Sequence, residues 1–289
     1  MFQLDRILVP TDFSNNSAIA TGQAGELARR FHSQVTLLYV DELLPLAGAL
    51  GFGIMSNEAL RAAHFAARIK KLAEFGPAEL NDVPVKRIVC SGDPAKVIVE
   101  RARDEQSDLI FMPARGGGVF RKFLLGSVTA KVLHDAECPV WTGPHVAEPE
   151  NTKSQIQRIL CAVDFGPQTA KTLEWVAGFA SALDAKLAVV HAVLEMPPNL
   201  PDRYAFQWRE ESHCGAVERL RELLLDSGIP AEALVVSDGD VPKSLATALK
   251  RESADLLVIG RSCADGPAGR PGSQIFPIVC AAERPVISV

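Results

Sequence analysis

The sequence predicts an α/β protein built from two successive doubly wound domains, each with a five-stranded parallel sheet. Three observations lead to this fold class. Short apolar runs alternate with stretches of helical periodicity, the second half repeats the first in order, and 289 residues suffice for two domains of ordinary size. Hydrophobic residues make up 47% of the chain and charged residues 22%, which is typical of a globular protein.

The first half opens with a βαβ unit. The apolar run 6–9 predicts a strand, and Ser14 or Asn15 is placed to cap the helix that follows. The β-rich run 35–40 predicts a second strand, parallel to the first because a helical crossover joins the two. The next segment, 43–55, is apolar and rich in glycine. We predict that it folds over the carboxyl edge of the sheet or packs on the other domain.

Further helices and strands complete this half. Apolar residues at helical spacing predict a helix across 60–72, and a strand follows at 85–90. Pro94 opens the next helix, which leads into a buried strand at 109–112. The last strand of the half is 139–142.

A glycine-rich loop follows strand 109–112 and suits a phosphate group. It contains three successive glycines and several cations before it closes on Gly126-Ser127; these residues are Gly116, Gly117, Gly118, Arg115, Arg121 and Lys122. Backbone N–H groups approach a ligand closely where side chains are absent, and a helix start adds unpaired N–H groups and partial positive charge. We expect Ser127 to be the N-cap of the next helix.

The same loop residues have a second interpretation. A tight turn and a helix cap explain Gly116, Gly126 and Ser127 without a ligand, and Arg115 can be a solvated surface charge. We favour phosphate contacts because the loop lies between a strand and a helix.

The second half repeats the landmarks of the first, with an offset that drifts slowly. Three of them recur in the same order: Asp12 as Asp164, Gly92-Asp93 as Gly239-Asp240, and Gly126-Ser127 as Gly272-Ser273. Ordered matches of this kind indicate a duplication, and so long a period makes each repeat a domain. The polar stretch 146–157 predicts a linker between domains at 1–145 and 158–289.

Composition argues against several other classes of protein. The net charge is −5 with no basic block, which disfavours general nucleic-acid binding. The beginning of the sequence lacks the pattern of a signal peptide, and segment 43–55 is too short and too rich in glycine to span a membrane. The six cysteines form no CxxC pair, so we expect reduced thiols, no structural metal and a cytoplasmic location.

Residues 108–140 resemble the C-terminal half of a universal stress protein domain. The family carries the pattern Gly-x2-Gly-x9-Gly followed by Ser or Thr, and Gly116 and Gly126-Ser127 match its second and third elements. Pro113 stands in place of the first glycine and has no N–H to offer a ligand. The resemblance extends over both halves and implies the strand order 3-2-1-4-5 of the adenine-nucleotide alpha-hydrolase-like fold.

The resemblance implies an adenine nucleotide, ATP with or without Mg²⁺, at the carboxyl ends of the first and fourth strands. In the family, the residue that matches Asp12 contacts the adenosine side, and the one that matches Val40 makes a backbone contact to adenine. Because a carboxylate repels phosphate, Asp12 would lie at the ribose end or hold the ion. The residues alone leave open that Asp12 caps a turn and that Val40 is a core strand residue.

The second half keeps fewer of these features. Gly260 matches the first glycine, but Cys263 replaces the second, the loop is one residue shorter, and Asp265 adds negative charge. We therefore interpret Asp164 as structural and expect at most one nucleotide per chain.

The resemblance implies a stress-response or regulatory module that binds a nucleotide. The alternative is the same fold without nucleotide binding, acting through protein–protein contacts. Slow ATP hydrolysis is a third possibility, but no residue is placed as its base. In the family the fifth strands pair two domains, so we expect the halves to form a pseudo-dimer within one chain, with further association into a homodimer allowed.

Overall fold

The computed structural model describes residues 2–42, 58–76, 78, 80–113, 125–143, 156–193, 205–236, 240–261 and 274–289, with the side chains of 205–209 excepted. The chain divides into two compact units. The first is Gln3–Gly143, and the second is Pro144–Val289 together with Met1–Phe2. In each unit, helices alternate with the strands of a parallel sheet.

The first unit contains five strands and four helices among its described residues. They are β1 (Arg6–Thr11), α1 (Asn15–Phe31), β2 (Gln34–Asp41), α2 (Glu58–Glu74), β3 (Val85–Ser91), α3 (Pro94–Asp104), β4 (Leu109–Met112), α4 (Ser127–Asp135) and β5 (Val140–Thr142). Their parallel pairing gives the order β3-β2-β1-β4-β5, which confirms the predicted order 3-2-1-4-5. Leu8, Leu37 and Phe111 are fully shielded from solvent at its centre.

The second unit repeats this topology. Its elements are β6 (Arg158–Ala162), α5 (Thr169–Leu183), β7 (Lys186–Ala192), α6 (Ala205–Ser227), β8 (Glu232–Val236), α7 (Val241–Arg251), β9 (Leu256–Ile259), α8 (Ile275–Ala281) and β10 (Val286–Ser288). Parallel pairing gives the order β8-β7-β6-β9-β10. β9 is buried along its length, as an inner strand covered on both faces should be.

Side-chain caps at equivalent helix starts reflect the duplication. Asp93 caps α3 by accepting from the Lys96 N–H at 3.1 Å, and Asp240 caps α7 by accepting from the Lys243 N–H at 3.0 Å. Ser14 caps α1 and accepts from the Ser17 N–H at 3.2 Å, which confirms one of the two predicted caps. These bonds satisfy N–H groups that have no partner within the helix.

Helix α2 forms where its periodicity predicts, but it does not turn its apolar residues inward. Leu72 is buried, whereas Leu60 is 47% exposed and Ile69 is 51% exposed. The residues that precede Leu72 by four and eight positions, Arg68 and His64, share its face of the helix. The side of α2 that approaches the sheet is therefore partly charged.

The cysteines provide a test of the second unit's core. Cys161 lies in β6 and is fully buried, and burial raises the pKa of its thiol to about 12, whereas Cys214 is exposed on α6. At pH 8 the thiolate fraction of a thiol with that pKa is about a thousandfold below that of an ordinary exposed cysteine. We expect iodoacetamide to modify Cys214 readily in the native protein and Cys161 only after denaturation. Peptide mass spectrometry measures both rates, and equal rates would show that β6 opens.

Candidate functional site

The turn after β1 lies at the carboxyl edge of the first sheet. Asp12 is exposed, and its Oδ1 accepts from the Ser14 N–H at 2.9 Å. Phe13 has a φ of 63°, in the left-handed region that bulky residues rarely enter, and its N–H donates to Thr11 Oγ1 at 3.0 Å. The backbone therefore leaves the strand abruptly after Thr11, with Asp12 at the bend. Asp12 has the turn-capping contact that its alternative interpretation requires.

The register of paired Cα positions between β1 and β2 ends at Tyr39, one residue before Val40. The Gln34 N–H donates to the Asp5 carbonyl at 2.7 Å and the Val35 N–H to the Pro84 carbonyl at 2.9 Å, so alternate residues of β2 face β1 and β3. Val40, six residues after Gln34, faces β1. The β1 register ends at Thr11 opposite Tyr39.

The next ladder bond would join the Phe13 N–H to the Val40 carbonyl. That N–H is instead turned towards Thr11 Oγ1. The Val40 carbonyl thus points to the β1 side at the place where the ladder ends. A backbone acceptor at a strand end is suited to a ligand that offers an N–H group.

Helix α4 begins at the same edge of the sheet. Gly126 is its N-cap, because it has extended dihedral angles and its carbonyl accepts from the Ala130 N–H at 2.8 Å. Ser127 is the first helical residue, so the prediction that Ser127 is the cap was wrong by one position. Gly126 has no side chain and therefore makes no capping bond to the first N–H groups of α4.

Thr129 connects the start of α4 to the end of β4. Its Oγ1 donates to the carbonyl of Pro113 at 3.2 Å, and the residue is only 3% exposed. Pro113, directly after β4, therefore acts as a hydrogen-bond acceptor within the fold.

Several predicted site residues lie outside the described part of the chain. These are Arg115, Gly116, Gly117, Gly118, Arg121 and Lys122, together with segment 43–55. Among the predicted residues that are described, Asp12 follows β1, Val40 belongs to β2, and Gly126 and Ser127 begin α4.

An ionic cluster around one buried carboxylate, formed by Asp41, His64 and Arg68, was not anticipated from the sequence. Asp41 is the last residue of β2 and is fully shielded from solvent. Its Oδ2 accepts from His64 Nε2 at 2.5 Å, and Arg68 Nε lies 3.6 Å from the same oxygen. A polar residue at the end of a β-rich run, with His and Arg four positions apart on the next helix, is the signal that sequence analysis could have used.

An aromatic stack lies beside this ionic cluster. The Phe13 ring stacks on Tyr39 with 4.5 Å between ring centroids, and Lys71 Nζ lies 4.3 Å from the centroid of Phe13. Burial raises the pKa of the Tyr39 hydroxyl above its ordinary value, while the Arg68 guanidinium opposes the shift. Tyr39 is therefore neutral at physiological pH.

The turn after β6 resembles the turn after β1, because in both an Asp carboxylate accepts from the N–H two residues later. Asp164 Oδ1 accepts from the Gly166 N–H at 2.8 Å and lies 3.3 Å from Thr169 Oγ1, which also donates to it. Where the first unit has Tyr39, the second has His191, whose Nδ1 donates to the Val163 carbonyl at 2.8 Å. In the second unit, the His191 side chain therefore binds the backbone directly after β6.

Packing explains why the second unit has Gly260 at the first glycine position of the family pattern. A Cβ atom at Gly260 would lie 2.9 Å from Thr172 Oγ1 of α5, a distance that real Cβ atoms do not tolerate. The equivalent position in α1 is Ala20, which is smaller. The fold of the second unit therefore needs a glycine here, and Gly260 is no evidence for a ligand.

Two further findings concern the described residues. Within them, no three side chains of the metal-binding types come together. No helix in the same parts of the chain combines the length and the apolar character that crossing a membrane requires.

Comparisons with known proteins agree with the fold. The family model described as the universal stress protein family matches residues 3–142 and again 155–274. Universal stress protein MJ0531 of Methanocaldococcus jannaschii is 34% identical over 140 residues, which span 47% of this chain and 79% of that protein. Universal stress protein Rv2005c of Mycobacterium tuberculosis is 33% identical over 137 residues, which span 46% of this chain and 43% of that one.

A solved structure resembles the whole chain. The crystal structure of a universal stress protein from Archaeoglobus fulgidus matches with a TM-score of 0.68, covering 99% of this chain and 96% of that one at 20% identity, a likeness of fold. The two family matches fall one in each α/β unit and together span most of the sequence. The chain therefore belongs to the universal stress protein family, as a member with two tandem domains.

Proposed function

We propose that the first unit binds an adenine nucleotide, with ATP as the leading candidate, and that the protein is a stress-response or regulatory module. The observation that carries this proposal is the end of the β1–β2 ladder. There the Val40 carbonyl points to the β1 side while the Phe13 N–H is turned towards Thr11 Oγ1. Asp12 and the start of α4 lie at the same carboxyl edge, where ligands of doubly wound folds bind.

Each candidate residue has a role that its chemistry permits. The Val40 carbonyl accepts from the exocyclic amino group of adenine, and Asp12 lies towards the ribose or holds Mg²⁺. Backbone N–H groups at Gly116, Gly126 and Ser127 bind the phosphates with help from the helix dipole. Arg115 adds positive charge on the phosphate side.

Pro113 favours a second candidate function, the same fold acting through protein contacts without a nucleotide. Proline offers no N–H, and the carbonyl of Pro113 accepts from Thr129 Oγ1 within the fold. This residue removes one donor from the proposed phosphate site. The remaining donors of the loop and of helix α4 are the reason that we rank nucleotide binding first.

Small molecules that remain bound to the purified protein distinguish nucleotide binding from the protein-contact function. We expect mass spectrometry of small molecules released from protein purified without added nucleotide to detect an adenine nucleotide. Titration calorimetry on stripped protein should then give one site per chain, because the His191 side chain binds the Val163 carbonyl at the equivalent edge of the second unit and the glycine loop there is one residue shorter. The absence of both release and binding would favour the protein-contact function. Two sites per chain would contradict the ranking of the units.

Two further elements complete the proposal. We propose that the edge strands β5 and β10 pair the two domains, 1–145 and 158–289, as a pseudo-dimer, a prediction that cross-linking between cysteines placed on those strands can test. A cytoplasmic location is also part of the proposal, and it rests on the cysteine pattern of the sequence, which contains no CxxC pair.

A further inference from the structure

We propose that the ionic cluster of Asp41, His64 and Arg68 positions the Val40 carbonyl and thereby makes the site selective for a base with an amino group at the ring position where adenine carries one and hypoxanthine and guanine carry an oxygen. This inference rests on the proposed nucleotide binding of the first unit. None of the three side chains needs to touch the ligand. They act through the peptide group that joins Val40 to Asp41.

The peptide bond provides the mechanical connection. The Val40 carbonyl and the Asp41 N–H lie in one rigid plane, so whatever fixes Asp41 also fixes the direction of that carbonyl. Asp41 is held through its backbone, since its carbonyl accepts from the Gly92 N–H at 3.2 Å. It is held again through its side chain, by His64 at 2.5 Å and by Arg68 at 3.6 Å.

The contacts that hold Asp41 lie where the β1–β2 ladder ends. Up to Tyr39, β2 is held on both sides by β1 and β3. Beyond Tyr39 the register with β1 ends, because β1 turns away at Asp12 and Phe13, whereas Val40 and Asp41 remain in register with β3. The bonds from α2 to Asp41 therefore hold the part of β2 that has lost one neighbouring strand.

The fold itself does not require a charge at this place. The second unit is an internal comparison, because Phe165, Arg219 and Leu220 repeat the contacts and burial of Phe13, Lys71 and Leu72. Counted from these landmarks, the positions of Asp41, His64 and Arg68 are held by Val193, Ser212 and Ala216. A buried carboxylate is costly unless it is paired, so its presence in the first unit alone points to a role beyond folding.

The chemistry of a carbonyl determines which base it can recognise. A carbonyl oxygen accepts a hydrogen bond from the amino group of adenine but repels the oxygen that hypoxanthine and guanine carry at the same ring position. A site built around such a bond discriminates strongly against an analogue that cannot form it. The discrimination depends on the direction of the carbonyl, which the ionic cluster fixes.

Three ligands and two substitutions at His64 test this inference in the full-length protein. ATP and inosine triphosphate differ at the exocyclic group, and tripolyphosphate lacks the base altogether. His64→Leu removes the bond to Asp41, whereas His64→Gln retains an N–H donor of similar reach. Ser212→Leu changes the equivalent position of the second unit and is the matched control. Circular dichroism and thermal unfolding check that each variant folds.

We expect the unmodified protein to prefer ATP over inosine triphosphate by about tenfold or more. His64→Leu should weaken ATP binding by about tenfold, the loss typical of a supporting residue, and leave the affinities for inosine triphosphate and tripolyphosphate unchanged. His64→Gln and Ser212→Leu should retain the preference for ATP.

The inference is overturned if His64→Leu keeps the ATP preference, if it weakens all three ligands equally, or if His64→Gln behaves like His64→Leu. Unmodified protein that binds no adenine nucleotide overturns the proposed function together with this inference. A protein that binds ATP but shows unaltered selectivity in His64→Leu overturns this inference alone.

Discussion

Replacing Gly126 with valine is expected to abolish nucleotide binding while leaving the first unit folded. Gly126 has φ −61° and ψ 141°, dihedral angles that valine readily adopts, so the backbone tolerates the change. The added branched side chain would occupy the space in front of the first N–H groups of α4. Losing two bonds to a charged phosphate, each contributing about 1.5–3 kcal/mol, should reduce affinity by about a hundredfold or more.

Calorimetry with ATP measures this loss, and thermal unfolding confirms the fold. The matched control is Gly272→Val in the second half, which should leave the affinity nearly unchanged because the proposed site belongs to the first unit. If Gly126→Val binds ATP normally, the start of α4 is not the phosphate site. If only Gly272→Val loses binding, the nucleotide belongs to the second unit.

The fold could be predicted from the sequence because its signals are local and are repeated. Buried parallel strands such as β4 appear as continuous apolar runs, and the order of the duplicated landmarks indicated two domains. The family resemblance then implied the strand order, which pairing confirms in both units. Local patterns of this kind do not depend on which distant residues meet.

The candidate site could be predicted only in part. Asp12 was proposed from its place at a strand end and Val40 from the family resemblance, but the end of the β1–β2 ladder depends on the backbone of Phe13, whose positive φ no side-chain pattern indicates. Asp41 is far from His64 and Arg68 in sequence, and all three look like ordinary surface residues. They come together because α2 turns a partly charged face towards the sheet, against the usual rule for amphipathic helices.

Removing both partners of Asp41 is expected to destabilise the first unit strongly. In a variant with His64→Leu and Arg68→Leu, the Asp41 carboxylate would remain fully buried without a hydrogen-bond donor or a cation from α2. Breaking a fully buried ion pair costs about 3–5 kcal/mol of folding free energy, and because the His64 and Arg68 side chains are each 25% exposed we expect a loss towards the lower end of that range. Hydrogen exchange of peptides from β2 and β3 measures the loss in the first unit separately from the second.

A triple variant that copies the second unit's residues should restore the stability that the double variant loses. Asp41→Val combined with His64→Ser and Arg68→Ala installs the residues found at Val193, Ser212 and Ala216. Replacing a buried ionic group by residues that pack without charge is often neutral or stabilising, so this variant should recover most of the lost protection from exchange. Arg61→Leu, which removes an exposed charge from α2 outside the cluster, is the control and should have little effect. Should the double variant exchange as slowly as the unmodified protein, Asp41 would not depend on α2. Should the triple variant remain as unstable as the double one, the ionic cluster would be required for folding, and the contrast between the two units would lose its functional meaning.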